Sequence, residues 1–396
     1  MDKVIYLDNN ATTMVDPEVI DAMLPFLKDG YGNPSSIHSF GGDIAKHISE
    51  ARMNIAQFIG ADHDYEIVFT GTGTESDNMA ILGSIAYYKN KKHIITSRVE
   101  HPAILSLCKK LERDGYRITF VPVDKDGNLN FEFLKESVDD DTAVVSIMHA
   151  NNETGVIFPI EEIGSFLKDK GITFHVDAVQ AAGKIPIDVN SLNCDLLSIS
   201  GHKFHAPKGI GALYVRRGTR LRPILYGGHQ EKGRRPGTEN VPGIVALGKA
   251  AELASLHLKD NTKMKKLRNK LETGIIDKFK NVSINGNVDA RVPNTTNVGF
   301  EYIEGEAILL YLNEKRIAAS SGSACSSGSL EPSHVLRAMG VPFTSAHGSI
   351  RFSLSRFTTE KEIDYVLEVV PDVVERLLDI SPYWDSKKKV GIPVNL

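Results

Sequence analysis

Ile172-Thr173-Phe174-His175-Val176-Asp177 and Leu196-Leu197-Ser198-Ile199-Ser200-Gly201-His202-Lys203 are the stretches that decide how this chain folds. Each is a short apolar run ending in polar chemistry. In an open α/β sheet, ligands bind at the carboxyl ends of the strands, so two such runs in succession can deliver a carboxylate, Asp177, and an amine, Lys203, to one crevice. That pair suits pyridoxal phosphate, whose aldehyde needs a Schiff-base lysine and whose pyridine nitrogen needs an acidic partner. The plain alternative is a solvated lysine and a helix-capping aspartate, since lysine is mostly exposed.

Working outward, strand-length apolar runs alternate with helical patterns from about residue 65 to 255, the signature of βαβ units and a largely parallel sheet. Strands are expected over 66–70, 93–97, 117–123, 143–149, 172–176, 196–200 and 211–215. Asp16 before Pro17 predicts a capped helix to about Lys28, and Gly60 closes one that begins near Asp43. Beyond a lysine-rich helical stretch over 256–280, strands near 296–300 and 349–353 and helices near 305–314 and 359–378 suggest a smaller α+β domain. The expected boundaries are 15–257 for a large domain, and 1–14 with 258–396 for a small one that carries a mobile cysteine loop.

With 396 residues, 41% of them hydrophobic and 24% charged, the chain can build two or three domains of an ordinary globular protein. Its formal charge of −4 speaks against nucleic acid as the main partner, and the clusters Arg216, Arg217, Arg220, Arg222 and Lys387-Lys388-Lys389 read as solvated charges. The first residues turn polar too soon for a signal peptide, and no apolar run approaches the ~20 residues of a membrane helix. Three cysteines, Cys108, Cys194 and Cys325, form no Cys-x-x-Cys pair, and no His-x-x-x-His pair stands beside a glutamate. A reduced, cytoplasmic protein without a metal site or membrane attachment is the expectation.

Three further constellations carry chemistry. After the run 66–70 comes Gly71-Thr72-Gly73-Thr74-Glu75-Ser76, small residues that open a helix and so offer backbone N–H groups to a phosphate. It completes neither Gly-x-x-x-x-Gly-Lys nor Gly-x-Gly-x-x-Gly, and as a lone turn it is equally a structural loop. A second such turn is Gly233-Arg234-Arg235-Pro236-Gly237-Thr238-Glu239-Asn240, while His101, just after the run 93–97, could stack on a planar ring, move a proton or simply be a satisfied loop histidine. Cys325 lies in Ser320-Ser321-Gly322-Ser323-Ala324-Cys325-Ser326-Ser327-Gly328-Ser329, where a thiol can swing rather than pack, whereas Cys108 and Cys194 sit in apolar patterns as small hydrophobes.

Taken in order, Tyr6-Leu7-Asp8-Asn9-Asn10-Ala11-Thr12-Thr13, Tyr31-Gly32-Asn33-Pro34-Ser35-Ser36, Ala150-Asn151-Asn152-Glu153-Thr154-Gly155, His175-Val176-Asp177-Ala178-Val179-Gln180, Ser200-Gly201-His202-Lys203 and Ser321-Gly322-Ser323-Ala324-Cys325 resemble the NifS/IscS group of cysteine desulfurases. The resemblance spans nearly the whole chain. It implies an α/β protein of the pyridoxal phosphate-dependent transferase fold type I, aminotransferase class V, with a large, mostly parallel mixed sheet flanked by helices plus a smaller α+β domain. It also implies a homodimer that converts L-cysteine to L-alanine, leaving a persulfide on Cys325 for an iron–sulfur cluster scaffold or another acceptor.

Carried over by position, Lys203 would hold the cofactor and move the substrate's Cα proton, Asp177 would pair with the pyridine nitrogen, and His101 would stack on the ring. Asn152 and Gln180 would contact ring substituents, and Gly73, Thr74, Ser200, His202 and, from the other subunit, Thr238 would hold the phosphate. Arg351 would clamp the substrate carboxylate, with Asn152 beside it, as a bidentate fork does better than lysine. Pro236 stands where the family often has serine or alanine, which puts the geometry of that loop in doubt. The rivals are another class V enzyme, such as an aminotransferase or selenocysteine lyase, and a catalytically silent assembly partner. A pure aminotransferase would have no use for a mobile Cys325, and the joint presence of Lys203, Asp177, Cys325 and Arg351 speaks against the silent partner.

Overall fold

All seven strands expected in the first two thirds of the chain form, and they join in one sheet. The structure, a computed structural model, describes residues 3–88, 90–260, 262–321, 332–385, 388 and 390–391. After β1 (Ile5–Tyr6) and the helices α1 (Pro17–Lys28) and α2 (Ser39–Phe58) come β2 (Ile67–Thr70), α3 (Gly73–Ile85), β3 (His93–Ser97), α4 (Pro102–Arg113), β4 (Arg117–Val121) and α5 (Phe131–Ser137). They are followed by β5 (Thr142–Met148), α6 (Ile160–Leu167), β6 (Thr173–Asp177), β7 (Leu196–Ser200), β8 (Gly211–Val215) and α7 (Val241–His257). The order across the sheet is β2-β8-β7-β6-β5-β3-β4, with β8 antiparallel to both neighbours and every other pairing parallel. The three central strands β5, β6 and β7 are buried along their whole length, which is why they read as unbroken apolar runs rather than as alternation.

Start signals behave as their chemistry requires. Asp16 accepts from the Glu18 N–H at 2.8 Å and Pro17 opens α1. Helix α2 begins at Ser39, ahead of the expected Asp43, because the His38 ring accepts from the Gly41 N–H and serves as its cap. Gly60 follows that helix at φ +70, a backbone state that glycine adopts without steric cost.

The remaining strands and α-helices are α8 (Thr262–Ile276), β9 (Val282–Ile284), β10 (Thr295–Phe300), α9 (Gly305–Glu314), β11 (Ile317–Ala318), α10 (His334–Ala338), α11 (Phe343–His347), β12 (Ser349–Ser353), α12 (Glu360–Ile380), β13 (Trp384–Asp385) and β14 (Val390–Gly391). Strand β10 pairs antiparallel with β12 and β9, and β1 pairs parallel with β11. Ile5 and Leu7 thereby enter an apolar core with Leu271, Phe300, Leu312, Phe352 and Val370, separate from the core beneath the large sheet. From Leu7 the chain crosses to the ends of the large-sheet strands: Asn9 N–H donates to Ser353 O at 3.1 Å and Thr13 N–H to His202 O at 2.9 Å. Residues 8–13 therefore run between the two cores, beside the Lys203 turn.

Candidate active site

Asp177 is the last residue of β6, and Lys203 ends the single 3-10 turn, Gly201–Lys203, that follows β7. Because Asp177 stands opposite Ser198 in the parallel register, the strands bring both side chains to the same edge. Lys203 Nζ donates to the carbonyls of Asn10 at 2.6 Å and Ala11 at 2.9 Å. The Asp177 carboxyl is buried and accepts from the Val179 N–H at 2.9 Å. Burial raises its pKa to about 6, against the opposing pull of that hydrogen bond and of Lys203.

Behind Asp177 lies a buried polar group that sequence reasoning missed. His175 bonds Ser146 through Nδ1 and Ser198 through Nε2, each at 2.9 Å, and Asp77 from α3 approaches its Nε2 at 3.6 Å. This is not an ion pair, because burial pulls the His175 pKa down to about 3. Burial first, and the charge of Asp177 second, raise the Asp77 pKa well above its ordinary value. Asp177 has an N–H donor and a nearby lysine, whereas Asp77 has only its bond with Ser198 and an Oδ1 with no partner among the described residues, so of the two carboxyls Asp77 holds the proton. Glu100, also fully buried, accepts from Ser97 Oγ and the Met148 N–H, and burial pushes its pKa up to about 8. Nothing in a single sequence separates such carboxyls from the solvated face of a helix.

His101 caps α4: its Nδ1 accepts from the Ala103 N–H at 3.1 Å, leaving the ring proton on Nε2. Burial, then the charges of Lys203 and His334, lower its pKa to about 4, so it presents a neutral ring. Burial and the same lysine also lower His202 to about 4, and its Nδ1 faces Thr12 Oγ1 at 3.2 Å.

The glycine turn opens α3 as expected, with Thr72 Oγ1 accepting from the Glu75 N–H as its cap. Gly73 is packed so closely that an added Cβ would lie 2.9 Å from Val179 Cγ2 and 3.2 Å from Ser200 Cβ, so the helix N-terminus abuts the end of β7. Thr74, the next residue, is exposed. Thr238 is also exposed, on a loop that Arg235 ties to Glu75, whose carboxylate accepts in turn from the Gly71 N–H.

Asn152, Gln180 and Arg351 meet around Asn10, a buried residue for which the sequence suggests no role. Asn10 donates through Nδ2 to Asn152 O at 3.1 Å and to Thr295 Oγ1 at 2.9 Å, and its own carbonyl accepts from Gln180 Nε2 at 2.9 Å. Arg351 donates through Nη1 to Asn152 O at 2.9 Å and pairs through Nη2 with Asp8 at 2.7 Å, while its buried Nε has no partner among the described residues. An arginine held on two sides with an unused buried donor is a ready site for a carboxylate.

Cys325 lies outside the described residues, but the chain on either side of it does not. Ser320 exchanges two backbone hydrogen bonds with Arg351, at 2.7 and 3.2 Å. On the far side, Ser333 caps α10 and donates through Oγ to the buried carboxyl of Glu153, the neighbour of Asn152. Cys108 and Cys194 are buried, and burial raises both pKa values to about 12, which keeps them as thiols. Among the described residues no group of three or more His, Cys, Asp or Glu could hold a metal ion, and no helix is long and apolar enough to cross a membrane.

The aminotransferase class V family matches residues 5–366. The chain is 60% identical over 385 residues to a cysteine desulfurase of Trichormus azollae, covering 97% of this chain and 96% of that one. It is 55% identical over 390 residues to the cysteine desulfurase NifS of Azotobacter vinelandii, covering 98% and 97%. Among solved structures, a NifS-like protein superposes with a TM-score of 0.88 at 40% identity, covering 94% of this chain and all of the other.

Proposed function

The chain belongs to the aminotransferase class V family and is a cysteine desulfurase, and from that premise we propose which of its residues do the work and in what order. Lys203 would hold pyridoxal phosphate, Asp177 would pair with the ring nitrogen, His101 would stack on the ring, and Asn152 and Gln180 would contact its substituents. Gly73, Thr74, Ser200 and His202, with Thr238 of a second copy of the chain, hold the phosphate. The residues fit that group: a carboxyl poised to ionise beside a cation, a neutral imidazole, an open helix N-terminus and an orphaned buried Arg351 Nε are the partners that a ring, a phosphate and an amino-acid carboxylate need.

When bound, the cofactor would supply the carbonyl that takes up the substrate amine and the ring that accepts electrons from Cα. Arg351 then orients L-cysteine by its carboxylate. The Lys203 amine takes the Cα proton and returns it later in the sequence. Asp177, ionised once a ring cation sits against it, keeps that cation stable. The Cys325 thiolate attacks the substrate Sγ: a sulfur–sulfur bond forms, the substrate Cβ–Sγ bond breaks with its electrons going to carbon, and protonation there completes L-alanine.

The observation that carries this reading is the joint anchoring of Ser320 on Arg351 and Ser333 on Glu153. Both ends of the segment holding Cys325 thus start beside the group that would bind the substrate carboxylate. From Ser320, five residues of chain put Cys325 within a reach of at most about 18 Å of that anchor. Incubation with L-cysteine should yield alanine and sulfide together, with added sulfur on Cys325 by mass spectrometry. Cys325→Ser should keep the cofactor's absorption and lose sulfide release, and a variant that desulfurates at the wild-type rate refutes the role of Cys325. We further propose an iron–sulfur cluster scaffold protein as the sulfur acceptor and the cytoplasm as the place of work.

A further inference from the structure

Lys184 is a lysine that the mechanism does not use, yet it is 5% exposed and reaches into the same group of side chains as Lys203. It lies on the turn after β6, where the Ala182 N–H bonds Ala178 O at 2.9 Å and the Lys184 N–H bonds Ala181 O at 3.0 Å. Gly183 makes the turn possible: its φ is +74, and a Cβ there would stand 2.7 Å from Phe204 Cβ, so the segment packs directly on the residue after Lys203. The chain thus doubles back, and Lys184 Nζ meets Gln180 Oε1.

The two ends of the Gln180 amide are chemically opposite, and their neighbours decide which way it faces. The Asn10 carbonyl carries no hydrogen, so only the NH₂ end of Gln180 can face it, as it does at 2.9 Å. Lys184 faces the other end as a donor, which only the amide oxygen can accept. Burial, together with Lys203 and Arg351, lowers the Lys184 pKa well below its ordinary value, and in either protonation state an N–H remains to donate. The same Asn10 carbonyl accepts from Lys203 Nζ at 2.6 Å, so Lys184, Gln180, Asn10 and Lys203 form one connected path.

We propose that Lys184 is a positioning residue: its hydrogen bond to Gln180 Oε1 locks the amide so that the NH₂ end is presented to the Asn10 carbonyl and to the ring oxygen of the cofactor. The proposal rests on the reading that Gln180 contacts a ring substituent. Were the amide to turn over, its oxygen would face the Asn10 carbonyl and the ring oxygen alike, replacing two attractions with repulsions. Lys184 therefore acts on the cofactor without touching it, and keeps Gln180 a donor to an oxygen that carries negative charge.

The test uses the holoenzyme of four variants, reading the absorption spectrum of the bound cofactor and the rate at which it is lost to a scavenger in excess. Lys184→Met should lose cofactor roughly tenfold faster, as expected for one hydrogen bond, and shift the spectrum toward the form with a protonated ring oxygen. Lys184→Arg, which keeps a donor, should restore both. Gln180→Leu should behave like Lys184→Met, and the double variant should be no worse than Gln180→Leu alone, because the two residues act as one. Additive losses, or a wild-type spectrum and loss rate in Lys184→Met beside an impaired Gln180→Leu, overturn the proposal and leave the Gln180 reading intact. A silent Gln180→Leu removes that reading and the proposal with it. If Lys184→Met does not fold, Lys184→Leu, shorter and likewise without a donor, takes its place with the same expectations.

Discussion

At the scale of single residues, burial sets the protonation of nearly every group behind Lys203, and it does so in opposite senses for acids and bases. Glu100, raised to about 8, binds a proton in the folded protein that the unfolded chain has released, so its contribution is fully present below the ordinary carboxylate pKa of 4.5 and is lost as pH rises through 8. His149 and His175, lowered to about 4 and about 3, work the other way. The unfolded chain takes up their protons below pH ~6.5 while the folded protein refuses them, so stability falls as pH drops toward 4. Stability should therefore peak between these limbs, on the mildly acidic side of neutral. Glu100→Gln, an uncharged side chain of the same shape, should flatten the alkaline limb, which changes by up to ~1.4 kcal/mol per pH unit for one proton. Urea midpoints measured across the range at constant cofactor saturation check this, and an unchanged alkaline limb would mean that Glu100 is ionised when folded. For Lys203, borohydride reduction should fix the cofactor to that residue; a label on Lys208 refutes the assignment. Asp177→Ala should bind cofactor but slow exchange of the substrate's Cα hydrogen by a factor of a hundred or more, the order of magnitude for one well-placed charged partner.

At the scale of elements, the sequence was most legible where one physical rule acts alone. Parallel strands buried on both faces must be continuous apolar runs, and β5, β6 and β7 are; the polar residues that end β6 and the turn after β7 followed as site candidates. Legibility failed where packing decides. Asp77 looks like any polar residue in the first turns of a helix, and only the packing of α3 against β6 and β7 buries it. Asn10 and Glu153 are short-range punctuation in the sequence but long-range connectors in the fold, bonded to Thr295 and Ser333. Gly73 tests how far an element's end serves a ligand rather than stability. Exchanging it for alanine in a helix gains roughly 0.5–1 kcal/mol of propensity, while the Cβ must displace Val179 and Ser200. These effects oppose each other in folding. Gly73→Ala should therefore leave the denaturation midpoint almost unmoved yet weaken cofactor binding at least tenfold in reconstitution titrations, and equal losses in both would assign the glycine to structure.

At the scale of the whole molecule, we propose that Thr238 serves the phosphate site of a second copy of the chain. Thr238 is exposed, on a loop whose Arg235 holds Glu75, and nearby in sequence Tyr226 is 87% and Leu225 45% exposed. Tyr31 and Ile37, at 78% and 105%, add large apolar side chains from another segment. Apolar groups of this size left in water favour a contact with another protein surface. If that surface belongs to a second copy, Thr238 reaches the phosphate of its neighbour, and each site is built from two chains. Heterodimers isolated with two affinity tags decide the matter. Lys203→Ala abolishes the amine in one chain, and Thr238→Asp sets a negative charge against the phosphate in the other. With a site shared between chains, one of the two sites in the heterodimer combines the wild-type Lys203 of one chain with the wild-type Thr238 of the other, so activity returns although both parent homodimers are inactive. With a site built inside one chain, each site carries one lesion and the heterodimer stays as inactive as its parents. Recovery toward half the wild-type rate, measured as alanine formed from L-cysteine, is the expected outcome. Its absence in verified heterodimers would place Thr238 on its own chain's phosphate and require the 235–240 loop to bend toward Gly73.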